Sequence, residues 1–225
     1  MDRRALTLGS LAAVGLAGCG VTATTGQVGD SEEEATPSTV PDIAPDVALT
    51  VPLSLFLIEE AGAGPDSQFS SQRTEDGLAV IACDMGEVWA QANVIFDPVN
   101  IETIQVPCDV LEAIATGLDT GPFFEQVGNT FDIPNAGAVN GFYLRFAGRV
   151  NGFAPNNSRV FFVVDEPTVN DERVSSHEVG HIFGLHHQLQ DPGTLMFSGT
   201  NGTVLNDDEI VVARYTAQGV LDGVR

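Results

Sequence analysis

The sequence contains no lysine, and its nine basic residues are all arginines, set against 31 acidic residues. The formal net charge of −22 describes a surface that repels nucleic-acid phosphates, so we expect no nucleic-acid partner. Such an excess of acid fits an adaptation that keeps a protein soluble; a role in binding cations or basic substrates is the alternative. The composition is compatible with calcium sites, but the sequence identifies no ligands for them.

A long hydrophobic run is also missing at the N-terminus. Arg3 and Arg4 precede an apolar stretch from Ala5 to Ala17, whereas a transmembrane helix needs about 20 residues. A short apolar stretch behind positive charges predicts a signal peptide over residues 1–18. The paired arginines also fit a twin-arginine export signal, and the surrounding pattern does not decide between the two routes.

Cysteine is scarce, with only Cys19, Cys83 and Cys108. The signal segment ends Leu16-Ala17-Gly18-Cys19, which resembles the lipobox of prokaryotic lipoproteins. The resemblance implies cleavage before Cys19, acylation of its sulfur and a lipid-anchored place on the extracytoplasmic face of the cell membrane; a plain secretory signal is the alternative. In an oxidising compartment we expect Cys83 and Cys108 to form a disulfide, with two buried thiols as the alternative.

Residues 19–47 have few large apolar side chains and are rich in Thr, Gly, Pro and acid. Such a stretch cannot bury enough apolar surface to offset the entropy lost on ordering. We therefore predict that residues 19–47 form a disordered acidic tether after the acylated cysteine. The folded domain is expected over residues 48–225.

The folded part mixes strand and helix patterns. Strand composition is found at Leu49 to Ile58, Val94 to Val106 with a turn at Asp97-Pro98, Phe142 to Phe146, and Arg159 to Val164. Helices are predicted from Thr74 to Asn93, Asp109 to Thr116, Thr168 to Gly184, and from Asn206 onward. Thr168 with Asp171 and Asn206 with Glu209 fit capping boxes. Interspersed strands and helices predict a mixed α/β or α+β domain.

All four histidines fall in one short stretch, and three of them have the spacing of metal ligands: His177-Glu178-Val179-Gly180-His181-Ile182-Phe183-Gly184-Leu185-His186-His187. On a helix, a spacing of four places His177 and His181 on the same face, where both imidazoles can bind one Zn²⁺. Glu178 is rotated by about 100° from His177. Its carboxylate therefore lies beside the metal, in the place of a catalytic base.

Gly184 explains how His187 can become the third ligand. A continuous helix would carry His187 about 9 Å beyond His181 along its axis. Glycine adopts the left-handed conformation readily, so Gly184 is predicted to end the helix and turn the chain back. Three neutral imidazoles leave a fourth position for water, as a catalytic zinc site requires. Glu209 is the alternative third ligand, and His186 is expected to be a bystander or a hydrogen-bond partner of the ligands.

The full motif resembles the metzincin metallopeptidases. It is followed by Asp191-Pro192-Gly193-Thr194-Leu195-Met196-Phe197, a run similar to the Met-turn of the matrixin branch. The motif-level resemblance covers residues 168–197 and implies that Met196 forms an apolar floor under the ligands. It also implies a twisted, mostly parallel sheet with three main helices and a cleft along an edge strand. Two features seen in relatives are missing, since no tyrosine follows the Met-turn at Ser198 and Gly199 and the tether has no cysteine switch.

The activity that the resemblance implies is that of a zinc-dependent endopeptidase, with Glu178 as the general base. Its expected partners are a peptide or protein substrate and, through Cys19, a membrane; the domain is expected to be a monomer. The alternative is a surface lipoprotein that binds zinc or peptide without turnover, for example because its cleft is occluded.

Overall fold

The structure is a computed structural model that describes residue 44, residues 46–130 and residues 138–223. The predictions about the signal peptide, Cys19 and most of the tether concern residues outside this part of the chain, and they stay predictions. Within the described ranges, no helix combines the length and the apolar character needed to cross a membrane.

Five strands form one sheet in the order β2-β1-β3-β5-β4. They are β1 (Leu49–Glu60), β2 (Val94–Val106), β3 (Val139–Leu144), β4 (Gly152–Phe153) and β5 (Val160–Val164). β1, β2, β3 and β5 pair in parallel, and the two-residue β4 pairs antiparallel with β5 at the edge. The helices are α1 (Glu75–Trp89), α2 (Cys108–Gly117), α3 (Gly121–Thr130), α4 (Asp171–Ile182) and α5 (Asp207–Leu221). The prediction of a mixed α/β domain with a mostly parallel sheet is confirmed.

The two faces of the sheet carry separate apolar cores. Because side chains alternate along a strand, β1 sends Leu53 and Leu55 to one face and Phe56 and Ile58 to the other. Helices α1, α4 and α5 cover the first face, which we call the site face. Helices α2 and α3 cover the second, which we call the aromatic face because six phenylalanine rings are in contact there: Phe56, Phe123, Phe124, Phe142, Phe153 and Phe162.

Of the two predicted capping boxes, the structure contains the one at α5. At α5, Asn206 accepts from the backbone N–H of Glu209 and the Glu209 carboxylate accepts from the N–H of Asn206, both at 2.9 Å. At α4 the prediction is wrong: the helix begins after Asn170, and Thr168 instead exchanges hydrogen bonds with Asn151. A tertiary partner has therefore taken the hydroxyl that the local pattern assigns to the cap.

Three further local features differ from the sequence prediction. Asp97 and Pro98 make no turn; β2 continues through them, and its register against β1 shifts by one residue at this point. Helix α3 lies in a stretch that was expected to be mostly loop. β4 has two residues and no periodicity of its own, so only its pairing with β5 defines it.

The predicted Cys83–Cys108 disulfide is wrong, because no bond joins these residues. Cys83 lies on α1, which packs on the site face, whereas Cys108 begins α2, which packs on the aromatic face. The sheet therefore separates the two thiols. A disulfide needs Cα atoms within about 7 Å of each other, a condition that an intervening sheet prevents.

Candidate metal centre

Helix α4 ends in a turn that sends the chain back over its own last residues. Gly184 has φ 83°, in the left-handed region. The N–H of Leu185 donates to the carbonyl of Gly180 at 2.8 Å, and that of Gly184 donates to His181 at 3.1 Å. These are the two hydrogen bonds of a Schellman motif, which satisfies the last helical carbonyls. The residues after Gly184 thus return toward His181 instead of continuing along the helix axis.

The turn brings three imidazole rings to one point. One ring nitrogen from each of His177, His181 and His187 lies within 4.8 Å of the others. The Nε2 atoms of His181 and His187 are 3.2 Å apart. Tetrahedral ligands at the usual zinc–nitrogen distance of about 2.0–2.1 Å lie about 3.3 Å from each other. The spacing of this pair therefore fits two nitrogens that share one zinc ion.

Backbone carbonyls orient two of the rings. The Nδ1 atom of His177 lies 2.8 Å from the carbonyl oxygen of Leu195, and that of His181 lies 3.0 Å from the carbonyl oxygen of Leu185. A carbonyl oxygen accepts but cannot donate, so each Nδ1 carries the proton. The lone pair is then on Nε2, which is the tautomer a metal ligand requires. The donor set fits a bound zinc ion.

The electrostatics keep these histidines neutral. Burial lowers the pKa of His177 to about 3, although its hydrogen bond to Leu195 opposes the shift. Burial also lowers the pKa of His181. Because a protonated imidazole cannot bind a cation, the depressed pKa values leave both rings ready to do so at neutral pH.

Glu178 is buried beside the edge of the sheet. Only 5% of it is exposed, and burial raises the pKa of its carboxyl group to about 8, against the opposing positive charge of Arg173. A Cβ atom on Gly152 would lie 3.1 Å from the Cγ of Glu178 and 2.8 Å from the carbonyl oxygen of Phe162. Glycine at this position thus lets β4 lie directly against Glu178.

Met196 lies beneath the helix at Gly180. Met196 is fully buried, and a Cβ atom on Gly180 would meet its Sδ at 2.6 Å, closer than real Cβ atoms come. The turn around Met196 is also tied to the segment after the third histidine, since the N–H of Gln188 donates to the Met196 carbonyl at 2.8 Å. The residue at position 180, just before His181, must therefore be small. The spacing of the histidines alone does not predict this requirement.

Arg173 is a residue that the sequence analysis missed. It is buried on α4, four residues before His177, and donates to the carbonyls of Leu195 and Phe197. A spacing of four places Arg173 and His177 on one helix face. The four-residue spacing could have indicated that Arg173 lies on the same face as His177. An arginine near the start of a helix, however, is usually expected to be exposed.

Two other candidates lie outside the group. His186 is exposed and does not belong to the triad. The carboxylate of Glu209 is engaged in the α5 cap, so the alternative of Glu209 as third ligand finds no support. Across residues 46–130 and 138–223, the triad is the one set of three or more His, Cys, Asp or Glu residues whose ligand atoms converge. The described residues therefore offer no candidate ligands for the calcium sites considered from the composition.

No protein-family model matches the chain, and no curated protein matches it. Among solved structures, the fold is similar to metalloproteinase-II from Bacteroides fragilis, with 12% identity, 76% of this chain covered and a TM-score of 0.50. The match spans 55% of that protein, about half its length. An archaemetzincin from Methanopyrus kandleri is similar at 14% identity over 76% of this chain and 96% of that chain, with a TM-score of 0.48. The likeness to metalloproteinase-II shows that this chain shares the fold of that protein.

Proposed function

We propose that this chain is a zinc-dependent peptidase. The observation that carries the proposal is the convergence of three imidazole nitrogens from His177, His181 and His187 beside the buried carboxyl group of Glu178. Two ligand rings are held in the metal-binding tautomer by backbone carbonyls. The fold shared with metalloproteinase-II from Bacteroides fragilis supports the same reading.

The chain's own residues divide the chemistry between them. The three histidines would hold the metal through nitrogen atoms, which leaves one tetrahedral position for water or substrate. When bound, zinc supplies a Lewis acid that lowers the pKa of a water molecule and of a neighbouring carboxyl group and polarises a peptide carbonyl. Glu178 takes the proton from the attacking water and returns it to the leaving amine. Its burial keeps bulk solvent from competing for that proton.

Access to the site favours turnover over silent binding. His187 is exposed and His181 is partly exposed, so the open side of the triad faces solvent. We infer that an extended peptide enters on this side, along the edge strand β4, and is cut internally, as an endopeptidase does. The matrixin-type assignment rests on the sequence around Met196 and on the close contact between Met196 and Gly180.

The proposal is tested with the Glu178→Gln and His187→Ala variants of the purified protein. Glu178→Gln keeps all three ligands, so we expect one bound zinc per chain and a loss of peptidase activity of about 10²–10⁴-fold, the range for a lost general acid–base group. His187→Ala should lose zinc as well. Glu209→Ala is the matched control for the alternative third ligand and should keep full zinc content. Retained proteolysis by Glu178→Gln, or a wild type that binds no zinc, would remove the proposal.

We also propose that the protein is exported and anchored through Cys19. The support is the sequence Leu16-Ala17-Gly18-Cys19 behind a short apolar run. Expression of the wild type and of Cys19→Ser in a prokaryotic host with labelled fatty acid tests it. Label and membrane association should depend on Cys19; a membrane fraction that is the same for both proteins would count against the anchor.

A further inference from the structure

Arg173 is a buried cation whose hydrogen bonds go to backbone carbonyls. Only 3% of it is exposed, and none of the ion pairs between described residues includes it. Its Nη2 atom donates to the carbonyls of Leu195, at 2.8 Å, and Phe197, while its Nε has no hydrogen-bond partner within the described part of the chain. A buried charge costs stability unless it is well compensated. A side chain that served only to fill space would avoid this cost.

The carbonyl of Leu195 is shared between Arg173 and a metal-ligand candidate. One of its lone pairs accepts from Arg173 Nη2 at 2.8 Å, and the other accepts from the Nδ1 of His177, also at 2.8 Å. A carbonyl oxygen has two lone pairs, so both bonds can form at once. The position of this one oxygen therefore sets the orientation of the His177 ring, and Arg173 is what holds it from the other side.

The second bond of Arg173 fixes the turn as a whole. Leu195 and Phe197 flank Met196, and the planar guanidinium reaches both of their carbonyls from a single atom. Met196 in turn packs against Gly180, one helical turn beyond His177. Arg173, His177 and Gly180 thus form a row along α4 that contacts three successive residues of the turn.

We propose that Arg173 is a positioning residue: by holding the carbonyls of Leu195 and Phe197, it sets the ring of His177 and the turn around Met196 in the geometry that metal binding needs. This inference rests on the proposed function. Hydrogen-bond partners behind metal ligands contribute strongly to metal affinity, and their loss usually lowers it about 10–100-fold. The positive charge of Arg173 also makes these hydrogen bonds stronger than bonds from a neutral donor to the same carbonyls would be.

The chain contains a matched control for this role. Arg214 on α5 is also buried, at 5% exposure. It donates to backbone carbonyls in the same way, to Ala92 at 2.7 Å and to Val47 at 2.7 Å. The carbonyls it holds accept no ring nitrogen of the triad. The two arginines therefore share burial and bonding, and they differ in whether a candidate ligand depends on the same oxygen.

The experiment compares Arg173→Met, Arg173→Lys and Arg214→Met in the full chain. Zinc affinity is measured by competition with a chelator, and the melting temperature of each metal-free variant is measured alongside. We expect zinc binding about 10–100-fold weaker in Arg173→Met and an intermediate loss in Arg173→Lys, which keeps the charge but not the length and planar shape of the guanidinium group. Arg214→Met should lower the melting temperature and leave zinc affinity within about twofold of wild type, since it touches no group behind a ligand.

A measurement on the metal-free protein separates this inference from the proposed function. Nitrogen NMR of the His177 ring should show the Nδ1–H tautomer in the wild type and a mixture of tautomers in Arg173→Met. If wild type fails to bind zinc, the peptidase proposal fails and the tautomer still decides the role of Arg173. The positioning role of Arg173 is overturned if the tautomer is unchanged in Arg173→Met. It is also overturned if Arg214→Met weakens zinc binding by the same factor as Arg173→Met. Should Arg173→Met not fold, the affinity and tautomer of Arg173→Lys decide in the same way.

Discussion

On the aromatic face of the sheet, β3 and β5 bury phenylalanine rings that stack on one another, whereas on the site face α4 buries His177, Glu178 and Arg173 against the same sheet. The contrast extends to hydrogen bonding. Four of the five buried side-chain atoms that lack a partner among described residues belong to the site-face helices: Trp89 Nε1, Arg173 Nε, Ser176 Oγ and Glu209 Oε1. Both faces bury an apolar core, but the site face also buries polar groups without partners in the described part of the chain, which costs stability.

The largest effect that separates the faces is expected from Phe142→Ala. Phe142 is fully buried on the aromatic face and contacts the rings of Phe56, Phe123 and Phe162 at centroid distances of 4.9, 4.8 and 5.4 Å. Truncating such a ring leaves a cavity and costs about 3–5 kcal/mol of unfolding free energy. Urea unfolding of the metal-free protein measures the loss, and a zinc titration of the folded variant should match wild type.

Phe146→Ala is the control for that prediction. Phe146 is 49% exposed, so its removal should change the unfolding free energy by no more than about 0.5 kcal/mol. If folded Phe142→Ala bound zinc much more weakly than wild type, the aromatic face would contribute to metal binding and the two faces would not be independent.

A smaller loss of stability is expected from Gly180→Ala, and here zinc affinity should be affected as well. The added methyl group would stand 2.6 Å from Met196 Sδ, and overpacking of this kind costs about 1–3 kcal/mol. Because Met196 lies in the turn whose Leu195 carbonyl orients His177, zinc affinity should fall together with stability. Calorimetry of the metal-free protein and chelator competition measure the two quantities.

Gly86→Ala is the control for Gly180→Ala, because the added methyl group has free space around it. Gly86 is in the interior of α1, and a Cβ atom there meets nothing within 4 Å. Alanine is the better helix former by about 0.8–1.0 kcal/mol, so this variant should be more stable than wild type with unchanged zinc affinity. Two glycine-to-alanine changes of opposite sign would show that Gly180 is required by the turn beneath it rather than by the helix.

Much of the sheet and of the motif could be predicted from local pattern. The apolar run of β1, the apolar periodicity of α1 and the Asn206–Glu209 box of α5 each act within a few residues, so the sequence alone identifies them. The same holds for the spacing of His177 and His181 and for the break at Gly184.

The remaining features depend on residues far apart in the chain. Arg173 matters because Leu195 and Phe197 return to it, and Gly152 matters because β4 meets Glu178. The wrong disulfide has the same origin. Counting cysteines pairs Cys83 with Cys108, but the placement of α1 and α2 on opposite faces of the sheet is a property of the fold.

A pH dependence confined to the site face is also expected, measured on the metal-free protein. With its pKa near 3 in the folded state, His177 binds fewer protons than in the unfolded chain between about pH 3 and 6.5, so its contribution falls as the pH drops through that window. Glu178 acts in the opposite sense. With a folded pKa of about 8 against an ordinary 4.5, it keeps its proton in the folded state, so stability falls as the pH rises from 4.5 to 8.

Glu178→Gln isolates this second contribution, because the many other carboxyl groups of the chain titrate alike in both proteins. Relative to wild type, the variant should gain unfolding free energy between pH 4.5 and 8, with a slope of at most about 1.4 kcal/mol per pH unit. The difference should be constant below and above that window. Phe142→Ala, on the other face, should differ from wild type by the same amount at every pH. A flat difference for Glu178→Gln would mean that water reaches the carboxyl group in the folded protein, and its burial could then no longer explain how it holds the proton.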